Sequence, residues 1–151
     1  MAHVEKSIFI SAPVEKVFDY AAEPNNYPTY IRNCVEIWER SEGPVGIGTT
    51  CRELSALPGG MKSKCINKII EYDRPSRLVI ETTDGVRLTI VYKLEPKDDG
   101  TLFRMTGDWT MGGKFLTWLL DKLFIGRFIV GNFADSVEKL KAVMESGQVS
   151  G

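Results

Sequence analysis

Histidine is almost missing from this sequence. Among 151 residues the only one is His3, near the start. It sits at the head of a strand pattern, so no buried imidazole offers itself as a general base. Cysteine is scarce and odd in number: Cys34, Cys51 and Cys65 have no paired spacing. That argues against a disulfide framework, and no C-x-x-C or Cys/His cluster suggests zinc. Neither charge sign dominates. With 19 basic and 20 acidic side chains the net charge is -1, which gives no global electrostatic case for nucleic acid. The start, MAHVEKSIFISAP, carries Glu5 and Lys6 and lacks a long apolar stretch, so it does not read as a secretory signal. These points imply a reducing, cytoplasmic setting. No G-x-S-x-G, Gly-rich phosphate loop or metal-ligand spacing occurs.

What is present is an ordinary globular composition, 43% hydrophobic and 26% charged, with no repeat or linker to divide it. We expect one domain over 1–146 and a polar tail, 147–151. Residues 3–11 alternate as a half-buried strand: Val4, Ile8 and Ile10 lie on one side, Glu5, Ser7 and Ser11 on the other. A helix follows, with Ser11 as the expected cap, Pro13 in the first turn, and Val14, Val17, Phe18 and Ala21 at helical spacing. Pro24 and Pro28 confine NNYPTYI, with Tyr27, Tyr30 and Ile31, to a turn or short helix.

Turn signals then divide six strands, near 34–41, 48–57, 61–72, 76–83, 86–95 and 101–111. Short connections make the sheet antiparallel. A helical pattern over 113–146 closes the chain, with a stripe of Leu116, Leu119, Leu123, Val130, Phe133, Val137, Leu140 and Met144. Its first half is apolar nearly all round, because Trp118, Phe124, Ile125, Phe128 and Ile129 stand off the stripe. Asp121, Lys122 and Arg127 argue against a membrane span, at roughly 2.5–3.5 kcal/mol each in hydrocarbon. The surplus apolar surface needs loops, a second subunit or a membrane surface to cover it. The economical packing is an α+β fold, a seven-stranded sheet wrapped around one long helix, with two short helices between strands 1 and 2.

Several strings sharpen this. IFISAPVEKVFDYAAEPNNYPTYI (8–31), VGIGTT (45–50), IIEYDRPSRLVIET (69–82), YKLEPKDDGT (92–101) and a terminal KLKAVM are similar to those of the START-like (SRPBCC) superfamily with the helix-grip fold. That group includes polyketide cyclase/dehydrase-like proteins, coenzyme Q-binding proteins and lipid-transfer domains. The resemblance covers nearly the whole chain and implies an apolar cavity between the curved antiparallel sheet and the C-terminal helix. It does not separate carriers from enzymes.

On the faces drawn from alternation, Tyr92, Phe103, Met105, Trp109 and Met111 point inward, with Gly107 leaving room among them. They line a cavity or fill a core; the resemblance favours the cavity. Phe18, Tyr27 and Tyr30 join the expected lining, and Phe115, Trp118 and Leu119 stand near its opening. Gly126 falls on the helix's inward stripe. Lys62, Lys64 and Lys68 face water, which turns Ser63, Cys65 and Asn67 inward. On the preceding strand Leu54 and Ala56 define the inner face, so Arg52 joins it. Arg52, Asn67 and Tyr92 are the candidates for holding a polar end of a mostly apolar ligand.

The expected function is binding or transport of a lipophilic small molecule, a quinone, lipid or polyketide-like compound, without metal or other cofactor. The alternatives are a cyclase/dehydrase-like enzyme acting on such a ligand, and a partner-binding module with a filled core. A shortage of acid–base groups on the inward faces favours the carrier. The Phe124/Phe128 side of the long helix is the expected contact with a membrane or a second copy.

Overall fold

A computed structural model describes residues 2–84, 87–110 and 126–146. The element order is β1 (Ala2–Ile10), α1 (Val14–Ala22), α2 (Tyr27–Tyr30), β2 (Cys34–Trp38), β3 (Thr50–Ala56), β4 (Lys62–Asp73), β5 (Arg77–Thr83), β6 (Arg87–Lys97), β7 (Gly100–Thr110) and α3 (Gly126–Glu145). Short 3-10 turns at Pro24–Asn26 and Pro58–Gly60 begin on proline, whose fixed φ suits the first turn. The seven strands form one antiparallel sheet in the order β1-β7-β6-β5-β4-β3-β2. The sheet curls into a half-barrel, and α3 lies against β1, β7 and α2. This is the helix-grip architecture.

Alternation sets most faces. In β4, Cys65, Asn67 and Ile69 are buried while Lys62, Lys64 and Lys68 are exposed. In β7, Phe103, Met105 and Trp109 are buried. The helix α1 buries Val14, Val17, Phe18, Ala21 and Ala22, one face at 3.6-residue spacing. Its N-cap is Pro13, with no side-chain cap, so the cap expected at Ser11 does not form. The Ser11 N–H instead donates to Glu145 Oε2 at 2.8 Å, tying the end of β1 to the last turn of α3.

The phase of α3 departs from expectation. Its buried residues are Asn132, Phe133, Ser136, Val137, Leu140 and Met144. Val130 is exposed at 37%. Two polar anchors turn the helix. Asn132 Oδ1 accepts the Asn33 N–H at 2.8 Å. Ser136 Oγ accepts the Arg32 N–H at 3.0 Å and donates to Asn132 O at 2.6 Å. Both anchors face the link between α2 and β2, which swings Val130 outward and brings Ile129 against the core.

Among the described residues no helix is long and apolar enough to cross a membrane. The apolar first half of the expected long helix, the tail 147–151, and Met111, Phe115, Trp118, Leu119 and Phe124 lie outside the described residues.

Candidate functional site

Strands β3 to β7, α2 and α3 enclose a partly open cavity of about 90 Å³. Its walls are mostly apolar, from Ile80, Leu88, Ile90, Met105, Ile129 and Phe133, with Tyr27 and Tyr92. One wall is polar. It comes from the inner faces of β3, β4 and β5: Glu53, Ser55, Ser63, Cys65, Asn67 and Thr82.

The antiparallel register explains that wall. Cys51 pairs with Asn67, Glu53 with Cys65, and Ser55 with Ser63. Directly opposed residues share a face, so the lysines that turn Asn67 inward turn Glu53 inward too. The sequence-based face of β3 was therefore inverted. Cys51, Glu53 and Ser55 are buried, whereas Arg52 is exposed and pairs with Glu39 on the outer surface at 2.7 Å. Leu54 is half-buried on the same outer face. Neither residue lines the cavity.

Glu53 is the group that sequence reasoning missed. It is only 8% exposed. Ser55 Oγ donates to its Oε2 at 2.5 Å and Asn67 Nδ2 donates to its Oε1 at 2.6 Å. Thr82 Oγ1 in turn donates to Asn67 Oδ1 at 2.7 Å. A run of hydrogen bonds thus crosses three strands and ends on one carboxyl group. Burial raises the Glu53 pKa above its ordinary value, and the hydrogen bonds from Ser55 and Asn67 pull against that rise. No ion pair involving Glu53 occurs among the described residues, and no Lys, Arg or His lines the cavity there.

Tyr92, on the apolar side, is fixed by a second run. The Tyr30 hydroxyl donates to Ala21 O at 2.6 Å and lies 2.8 Å from the Tyr92 hydroxyl. Since Tyr30 spends its proton on Ala21, Tyr92 is the donor between the rings. Burial holds both phenols well above their ordinary range, so they remain neutral. Burial likewise pushes the Cys65 thiol to about 12 and the Cys51 thiol to about 11, which leaves neither nucleophilic at neutral pH. Among the described residues no cluster of His, Cys, Asp or Glu is placed to hold a metal.

Of the expected site residues, Tyr27, Asn67, Tyr92 and Met105 meet around the cavity. Tyr30, Phe103, Phe18 and Trp109 are buried but stand behind its wall. Phe103 backs Tyr92, with ring centroids 5.1 Å apart, and Phe18 packs edge-on against Tyr72 at 5.3 Å. Gly126 is the first residue of α3 and does not line the cavity. Gly107 is not open space beside a ligand. A Cβ there would stand 2.5 and 2.8 Å from ring atoms of Phe133, so this glycine seats the helix on the sheet. Phe128 is half-buried, lines the cavity, and has the Arg32 guanidinium 5.7 Å from its ring centroid. Phe128 and Ile129 were expected off the inward stripe; both belong to the cavity wall.

A half-barrel gripping a C-terminal helix over a cavity defines a START-like protein. The chain belongs to the family described as polyketide cyclase / dehydrase and lipid transport, which it matches over residues 1–145. Solved structures agree on the fold. The chain is similar to TTHA0849 from Thermus thermophilus, with a TM-score of 0.82 at 19% identity, covering 98% of this chain and 100% of that one. It is also similar to the di-domain ARO/CYC StfQ from the steffimycin biosynthetic pathway, at 0.77 and 16% identity, covering 97% of this chain and 51% of that one. A third is Ara h 8.0201, at 0.65 and 19% identity, covering 96% and 98%. No curated protein matches the chain in sequence.

Proposed function

We propose that this chain binds and carries a lipophilic small molecule, with the molecule's polar end at the Glu53–Asn67–Thr82 wall and its body against Ile90, Met105 and Phe133. The observation that carries this reading is the cavity's division into a mostly apolar lining and one polar wall. The family's lipid-transport members favour it. Its volume limits what enters fully: an apolar cavity of roughly 150 Å³ takes a benzene ring. A ligand larger than one ring therefore keeps its remainder toward Leu57, Phe128 and Ile129. Three buried free thiols fit a reducing, cytoplasmic setting.

One observation favours an enzymatic reading beside it. Glu53 is a buried carboxyl with a raised pKa on the cavity wall, which suits a general acid or base. Glu53 is an acid–base group of the kind the inward faces were expected to lack. StfQ is named as an ARO/CYC protein, and the likeness to it extends to the fold alone.

Uptake of the neutral dye Nile red, followed by its fluorescence, tests the reading. Ile90 lines the cavity and is only half-buried, so Ile90→Trp fills space without breaking a polar contact. Dye affinity is expected to fall about tenfold or more, with the thermal midpoint little changed. Equal uptake by both proteins would put the dye elsewhere and remove the cavity from the function.

A further inference from the structure

The polar wall has a sign. Its one ionisable carboxyl, Glu53, faces a cavity whose described lining contains no cationic side chain. The groups bonded to Glu53 are donors: Ser55 Oγ and Asn67 Nδ2. A carboxylate offers about four acceptor sites, and Ser55 and Asn67 fill two of them. The unfilled capacity belongs to a residue on the cavity surface. A carboxylate-ended guest buries its negative charge beside a carboxyl group, on a wall whose described residues offer no cation to offset it. A hydroxyl-ended guest gains a hydrogen bond. A guest ending in a protonated amine gains a charge-assisted one, and its positive charge favours the ionised form of Glu53 that burial alone disfavours.

We infer that the cavity selects small apolar molecules ending in a basic amine, held by Glu53, and turns away carboxylates such as free fatty acids. This rests on the carrier reading above.

Gln at position 53 can keep the local network whole. If the Asn67 amide turns over, its Oδ1 accepts from Gln and its Nδ2 donates to Thr82 Oγ1. Only the charge is lost. Calorimetric titration of the full chain at neutral pH with 3-phenylpropylamine, 3-phenylpropan-1-ol and 3-phenylpropanoate tests the inference, since the three share one body. The amine is expected to bind about tenfold or more tighter than the alcohol, and the carboxylate most weakly. In Glu53→Gln the amine is expected to drop to the alcohol's affinity, and the carboxylate to come within about threefold of it. Wild-type binding of the carboxylate as tightly as the amine overturns the inference without any variant. Binding of the alcohol with no amine preference overturns it too, and leaves the carrier reading standing. If none of the three binds, the inference falls, and Nile red uptake decides the carrier reading separately.

Discussion

Gly107→Trp is expected to leave little folded protein, with a loss above about 3 kcal/mol, and Gly107→Ala to cost about 1–3 kcal/mol. The reason is the close seat of α3. Phe133 is 3% exposed and its ring lies over the Gly107 backbone, where even a Cβ would approach to 2.5 Å. Leu88 Cδ1, 3.4 Å from that Cβ position, closes one way out. The other way out is into the cavity, because Phe133 lines it. Gly107→Ala is therefore expected to weaken ligand uptake as well as stability, by pressing the ring into the binding space. Urea unfolding measures the first effect. Adding Phe133→Leu to Gly107→Ala is expected to recover part of the loss, so the two changes are not additive. Wild-type stability in Gly107→Trp would mean that Phe133 does not rest on that strand. From sequence alone the same glycine was expected to leave room among the inward-facing aromatics.

Changes at Glu53 are expected to separate charge from hydrogen bonding. Glu53→Ala strands the Ser55 and Asn67 donors beside a new void, and a buried unsatisfied donor costs about 1–3 kcal/mol. Glu53→Gln keeps acceptors and donors in balance and is expected to be neutral or stabilising above neutral pH. The pH dependence gives the sharper result. The folded-state pKa of Glu53 lies above its ordinary value of 4.5, so the folded chain holds this proton more tightly than the unfolded chain. Its contribution to stability is fully present below the ordinary value. It is lost as pH rises through the folded pKa. The wild type is thus expected to lose stability relative to Glu53→Gln as pH increases from about 4.5 upward. Parallel curves would show that Glu53 titrates normally, and a relative gain with pH would reverse the sign of its burial.

Much of this fold was legible because its signals are local. The proline-bounded Tyr27–Tyr30 turn, the glycine and aspartate turns, and the alternation of β6 and β7 led to seven antiparallel strands and a closing helix, which is the observed architecture. The site was less legible because its inner wall breaks the rule that apolar residues mark the inside. On β3, Leu54 and Ala56 look like core, while the residues turned inward are Cys51, Glu53 and Ser55. The clue lay in the neighbouring strand. Lys62, Lys64 and Lys68 fix the face of β4, and the short connection through Pro58–Gly60 fixes its register against β3. Together they require Glu53 to face inward with Asn67. In α3 a wheel weighted by apolar residues turned the helix toward Val130, because it gave no weight to Asn132 and Ser136. Those two are buried to anchor the backbone of Arg32 and Asn33.

Native mass spectrometry of gently prepared full-length chain, followed by solvent extraction, measures its occupancy directly. A discrete adduct released as a lipophilic molecule is expected, with a basic nitrogen if Glu53 sets the selection. An empty protein that also takes up no quinone, acyl chain, aromatic polyketide or aryl amine would contradict the account and leave the space between sheet and helix without a guest.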